Sequence, residues 1–180
     1  MKQIITRLLA LTLLASVAAC KKNNSPTDQK QGEATITVTG EVEGTYSGMA
    51  DFHYIDHGHG ASWEIFLHDS SPAIFSVTIL QFRVDENVTR PGIGTYSIGG
   101  AVQADYVGIF TPYDGNPMSN IEYGTVNKDG DAGSLTITSS DENTVKGTLQ
   151  FTADRHDDEM NVVGTINVSG EFTANKRRVD

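Results

Sequence analysis

The chain has 180 residues, with 13 Lys and Arg against 23 Asp and Glu and a formal net charge of −10. That length fits one domain with a proper core and is short for two. The acidic balance argues against nucleic acid as a partner and against a polybasic grip on anionic lipid, because phosphate-rich surfaces are repelled across most of the chain; cations, neutral glycans and basic protein surfaces remain compatible with it.

At the N-terminus, Lys2 and Arg7 precede an apolar run from Leu8 to Ala19 that ends in small side chains. A spanning helix needs about 20 apolar residues, whereas a basic start, a shorter apolar stretch and a small-residue cleavage site are the layout of a secretory signal peptide. The sequence Val17-Ala18-Ala19-Cys20 resembles the lipobox of bacterial lipoproteins, and residues 1 to about 32 resemble the address of small envelope lipoproteins of Gram-negative bacteria. The resemblance implies that diacylglycerol is attached to the Cys20 thiol, that the chain is cut just before it, and that the new amino group can be acylated as well. It implies the outer membrane by default, since Lys21 stands where inner-membrane retention signals favour Asp. Several acyl chains anchor firmly, each buried methylene contributing about 0.8 kcal/mol, and a single chain is marginal. Cys20 is the only cysteine, so the rest of the chain relies on packing, although its export route permits disulfides.

Residues 21–32 (KKNNSPTDQKQG) contain no large apolar side chain and read as a tether, reaching about 20 Å as a coil and about 40 Å fully extended. From Glu33 the pattern changes. Ala34, Ile36 and Val38 alternate with Thr35, Thr37 and Thr39, the period of two expected of a strand with one buried face. Phe52 to Ile55 and Ala61 to His68 read as a hairpin, and Ala73 to Phe82 as a short buried strand rich in β-branched and aromatic residues. Leu135 and Ile137, Leu149 and Phe151, and Ile166 and Val168 repeat the alternation. Turn-forming residues at 128–133 and 139–143 predict an antiparallel meander from Ile121 to Phe172. All five prolines are expected outside strands. The boundaries predicted are a signal peptide at 1–19, lipidated cysteine and tether at 20–32, an all-β domain at 33–175 and a polar tail at 176–180. The domain is expected to be an antiparallel β-sandwich or barrel of nine to ten strands. Ile36-Thr-Val-Thr-Gly40-Glu41-Val42 and Ile166-Asn-Val-Ser-Gly170-Glu171-Phe172 share one pattern, which a duplicated unit or a common need to bend across a sheet would explain.

Residues able to do chemistry are concentrated in one place. His53, His57, His59 and His68 lie within 16 residues, with Asp56 and Asp69 alongside, a donor set suited to Zn²⁺ or Cu²⁺. Their spacing matches no recognised zinc motif, and the glycine-flanked tip carrying His57 and His59 is equally what a solvated loop looks like, so composition alone assigns no cofactor. Asn127 to Gly133 opens like an EF-hand loop but has Ala132 where the glycine belongs and Thr138 where the bidentate Glu belongs. No G-x-S-x-G, H-E-x-x-H or P-loop is present, and no catalytic residue is assigned. Trp63, expected in the core, and Tyr113, in the loop at 111–120, are the candidate ligand contacts. The leading reading is a lipid-anchored, non-enzymatic binding or structural module whose partner is a protein or glycan. The alternatives are a lipocalin-like carrier of a small apolar ligand and a metal-binding protein using the hairpin from His53 to His68.

Overall fold

The computed structural model describes residues 32–56, 61–69, 75–83, 90–113 and 121–177. Among these there is no helix, and ten strands form one sheet. They are β1 (Glu33–Gly40), β2 (Gly44–Asp56), β3 (Ala61–His68), β4 (Phe75–Arg83), β5 (Gly94–Gly99), β6 (Val107–Pro112), β7 (Tyr123–Gly124), β8 (Asp131–Ser140), β9 (Thr144–His156) and β10 (Val162–Lys176). Antiparallel pairs run from β1 through β2, β3, β4 and β6. The two-residue β7 then bridges β6 to the end of β9. β9 pairs with β10, and β10 pairs with β1, so the sheet closes into a barrel. β8 takes the rest of the β9 edge, with β5 beyond it, and an Ile98–Tyr106 bridge brings β5 back to β6.

Alternation along each strand decides which side chains face the interior. Ile36 and Val38 on β1, Ile65 and Leu67 on β3, Val77 and Ile79 on β4, and Ile166 and Val168 on β10 are all buried in one core, each such side chain contributing about 1.5–3 kcal/mol by leaving water. Aromatic rings occupy the middle: Tyr46 lies 5.1 Å from Phe75 and 5.8 Å from Phe110, and Phe110 lies 6.4 Å from Tyr123. Phe52 stacks on Trp63 at 5.1 Å. Among the described residues, side chains pack against one another across the barrel interior.

The repeated pattern has a structural meaning. β1 and β10 pair antiparallel about Val38 and Val168, so that Ile36 faces Gly170 and Gly40 faces Ile166. Each copy of the pattern therefore sets its glycine against the isoleucine of the other. Gly40 has φ +116°, and a Cβ on Gly170 would stand 2.3 Å from the Thr35 carbonyl oxygen and 2.5 Å from Ile36 Cδ1.

Two expectations need correction. β8, β9 and β10 form the predicted meander, but Tyr123 and Gly124 do not join β8; they pair with β6 and β9. The cause is Thr125, fully buried, whose hydroxyl donates to the Gly99 carbonyl at 2.7 Å and accepts from the Gly108 amide at 3.0 Å, tying this segment to β5 and β6. Pro112 is not outside a strand. It ends β6 opposite Phe75, and a terminal ladder position tolerates the missing amide.

Phe110 has no exposed surface and touches rings on two sides. Phe110→Ala is expected to destabilise the domain by about 3–5 kcal/mol, seen as a lower urea midpoint with an unchanged slope.

Candidate functional site

Outward positions of β2 and β3 bring acids and histidines together. His53 pairs with Glu64 across the two strands, and Asp51 and His68 lie on the same face. The His53 ring is held between two carboxylates, with Nδ1 3.8 Å from Asp51 Oδ1 and Nε2 3.5 Å from Glu64 Oε2. His68 Nδ1 lies 2.8 Å from the Asp69 carbonyl oxygen, which can only accept. His68 Nε2 faces Asp51 Oδ2 at 3.4 Å, and the ring stacks on Phe66 with centroids 4.7 Å apart. Asp51 Oδ1 and His53 Nδ1 are shielded from water and make no hydrogen bond. The predicted ligands His53 and His68 are thus linked through Asp51; His57 and His59 lie outside the described residues, as does Cys20. The carboxylates against these rings are Asp51 and Glu64, not the Asp56 and Asp69 to which the sequence pointed. Among the described residues no three His, Cys, Asp or Glu side chains are placed to hold one metal ion. The quartet resolves into His–carboxylate pairs.

Beside this cluster the exterior turns apolar. The row His53–Glu64–Leu80–Val107 and the row Asp51–Phe66–Thr78–Ile109 cross β2, β3, β4 and β6. Leu80, Val107 and Ile109 also line a pocket of about 280 Å³ with Ala101, Ala104 and Val126.

The exterior of β2, β1, β10, β9, β8 and β5 has a different chemistry. One row of paired residues reads Ser47–Thr35–Glu171–Thr148–Thr136–Thr95, and the next reads Thr45–Thr37–Ser169–Gln150–Ser134–Ser97. A third holds Thr39, Asn167 and Thr152. Glu171 is the only charged residue in the three rows. An open groove of about 660 Å³ crosses this face from β2 to β8.

A third group sits at the barrel end where β1 stops. Arg155 donates to the Glu41 carboxylate, on which the buried Tyr123 hydroxyl also bears. The guanidinium holds Glu41 below the usual carboxylate range, while burial, then the hydrogen bond to the Glu41 carboxylate, pushes the Tyr123 phenol up. Burial raises Asp154, but the Lys128 ammonium at 2.5 Å and the Thr165 hydroxyl at 2.8 Å outweigh it and hold the carboxyl low. Asp157 is also held low, accepting from the Asn161 and Glu159 amides at 2.9 Å each. In the sequence, residues 154–159 (DRHDDE) read as a solvated acidic turn and Glu41 as part of the repeated pattern; what the sequence did not show was their pairing, because Glu41 and Arg155 are far apart in the chain.

Trp63 is buried against Phe52 and presents no ring face to solvent, the packing expected of a core residue. Tyr113 is exposed just after β6. No family model matches the chain, and no curated protein or solved structure matches it.

A structural zinc site stabilises a fold by about 10 kcal/mol or more, which isolated ligand pairs do not recover. Micromolar zinc is accordingly expected to leave the melting temperature nearly unchanged, with the same result in a His53→Ala, His68→Ala variant. A rise of several degrees abolished by that variant would contradict this. The depressed carboxyls set a pH dependence. Their folded pKa values lie below the ordinary 4.5 of Glu41 and 3.8 of Asp154, so their stabilisation is complete above about pH 5 and is lost as pH falls through the folded values. Asp154→Asn is expected to lose less stability than wild type between pH 7 and pH 3 in urea unfolding.

Proposed function

We propose that this chain is a lipid-anchored protein of the bacterial envelope, held in the outer membrane through acylated Cys20, whose β domain is a non-enzymatic module that binds with its outside. The observation that carries this reading is the filled interior. A carrier of the lipocalin type needs space inside the barrel, whereas here Tyr46, Phe75, Phe110 and Tyr123 meet across it. Open grooves of a size to receive a ligand lie on the exterior.

The strand order supports the same reading through geometry. Because β1 and β10 are antiparallel, Glu33, where the chain enters the barrel, lies beside Thr173, close to where it leaves. A tether from Cys20 to Glu33 therefore reaches the domain at the end away from Glu41 and Arg155. The long outer faces of the strands run from that entry point toward the opposite end and are the surfaces on offer to a partner. The acidic surface favours a neutral or basic one.

Lipid attachment is expected to depend wholly on Cys20. Cys20→Ser should accumulate as an unprocessed precursor lacking the mass of the acyl chains, and wild-type protein should partition into the detergent phase. Wild-type protein recovered from the aqueous phase with residue 20 unmodified would overturn the anchor.

A further inference from the structure

From the hydroxyl-lined groove across β2, β1, β10, β9 and β8 we infer a binding site for an extended, neutral glycan strand. The inference rests on the reading of the domain as a module that binds with its outside, and it names the class of ligand.

Five hydroxyls line the groove, from Thr35, Ser47, Thr138, Thr148 and Thr173, together with the ammonium of Lys146. Thr35, Ser47, Thr148 and Thr173 make no side-chain hydrogen bond to another described residue, and Lys146 forms no ion pair among the described residues. Thr138 is partly engaged, donating to the Lys146 carbonyl at 3.3 Å. Glu33 and Glu171, the latter on the middle strand of the five, also line the groove; they can accept from sugar hydroxyls, and as carboxylates they disfavour an anionic polymer.

β-propensity alone does not account for the surface. Threonine is common on sheet exteriors, yet the outward positions of β2, β3 and β4 carry Asp51, His53, Glu64, Phe66 and Leu80. Apolar side chains are absent from the three hydroxyl rows, and the two that line the groove, Ala34 and Phe172, are buried, which argues against an aliphatic ligand or a protein hot spot there, since such sites centre on apolar anchors. Shape selects length. Neighbouring strands are about 4.8 Å apart, so a groove over five of them runs about 20 Å and presents a hydroxyl at each step. That spacing is close to the rise of one sugar in an extended hexose chain, so an oligosaccharide of several units fits and a monosaccharide uses only a fraction of the groove.

The test uses the full-length protein in detergent, titrated calorimetrically with chitohexaose and with cellohexaose. At least one is expected to bind, and Thr35→Val, Thr148→Val, which preserves shape and strand propensity while removing two hydroxyls, is expected to weaken it about tenfold without changing the melting temperature. Val102→Lys, a charge at an exposed turn, should leave binding intact. Failure of wild type to bind either hexasaccharide, binding undiminished in the double valine variant, or equal affinity for an anionic hexasaccharide would each overturn the inference while leaving the exterior-binding reading in place. An apolar probe that displaces the core and occupies the barrel would overturn that wider reading instead.

Discussion

Closure of β1 on β10 is the constraint on which the rest of this structure depends. Both strands alternate apolar and polar residues, so a slip of one residue would turn Ile36 and Val38 outward and bring threonines into the core. The glycines add a second lock. Ile36 sits over Gly170 and Ile166 over Gly40, and any other register would place an isoleucine against a side chain rather than against bare backbone. Hydrophobic pattern and local shape thus select the same alignment, which is the consistency expected of a sequence that specifies one fold.

With the register set, inward and outward surfaces are separated and take on different tasks. The inward surface is consumed by packing. The outward surface divides into two halves: the second part of β2 with β3, β4 and β6 presents acids, histidines and aliphatic side chains, whereas the first part of β2 with β1, β10, β9, β8 and β5 presents rows of hydroxyls and amides. Such a division has no bearing on closure, because either set of outward residues would serve the ladder equally well.

Much of the architecture was legible from alternation. Ala34, Ile36 and Val38 named their own strand and face, and Trp63 lies in the core as expected. What alternation could not convey was long-range pairing. Tyr123 looks like the start of a hairpin with β8, and only the buried Thr125 hydroxyl, bonded to Gly99 and Gly108, explains why it joins β6 and β9. The histidine cluster was visible as composition, but the carboxylates that contact it were not. Asp51 and Glu64 are ordinary acidic residues until the β2–β3 register sets them beside His53 and His68. The hydroxyl rows escaped notice for a related reason, since each strand contributes only two or three members and the pattern exists only across strands.

Closure also imposes an order of events. The strand pair that seals the barrel joins the first and last strands of the domain, so β1 is made first and completed last. Until β10 arrives, one edge of the β1–β2 hairpin offers open backbone groups to any neighbouring chain, the situation in which sheet proteins aggregate. Contacts this distant in sequence also form slowly. The threonines on the wet face of β1 keep the waiting hairpin soluble on that side, and its glycine-terminated edge is a poor template for a partner that lacks the matching glycine.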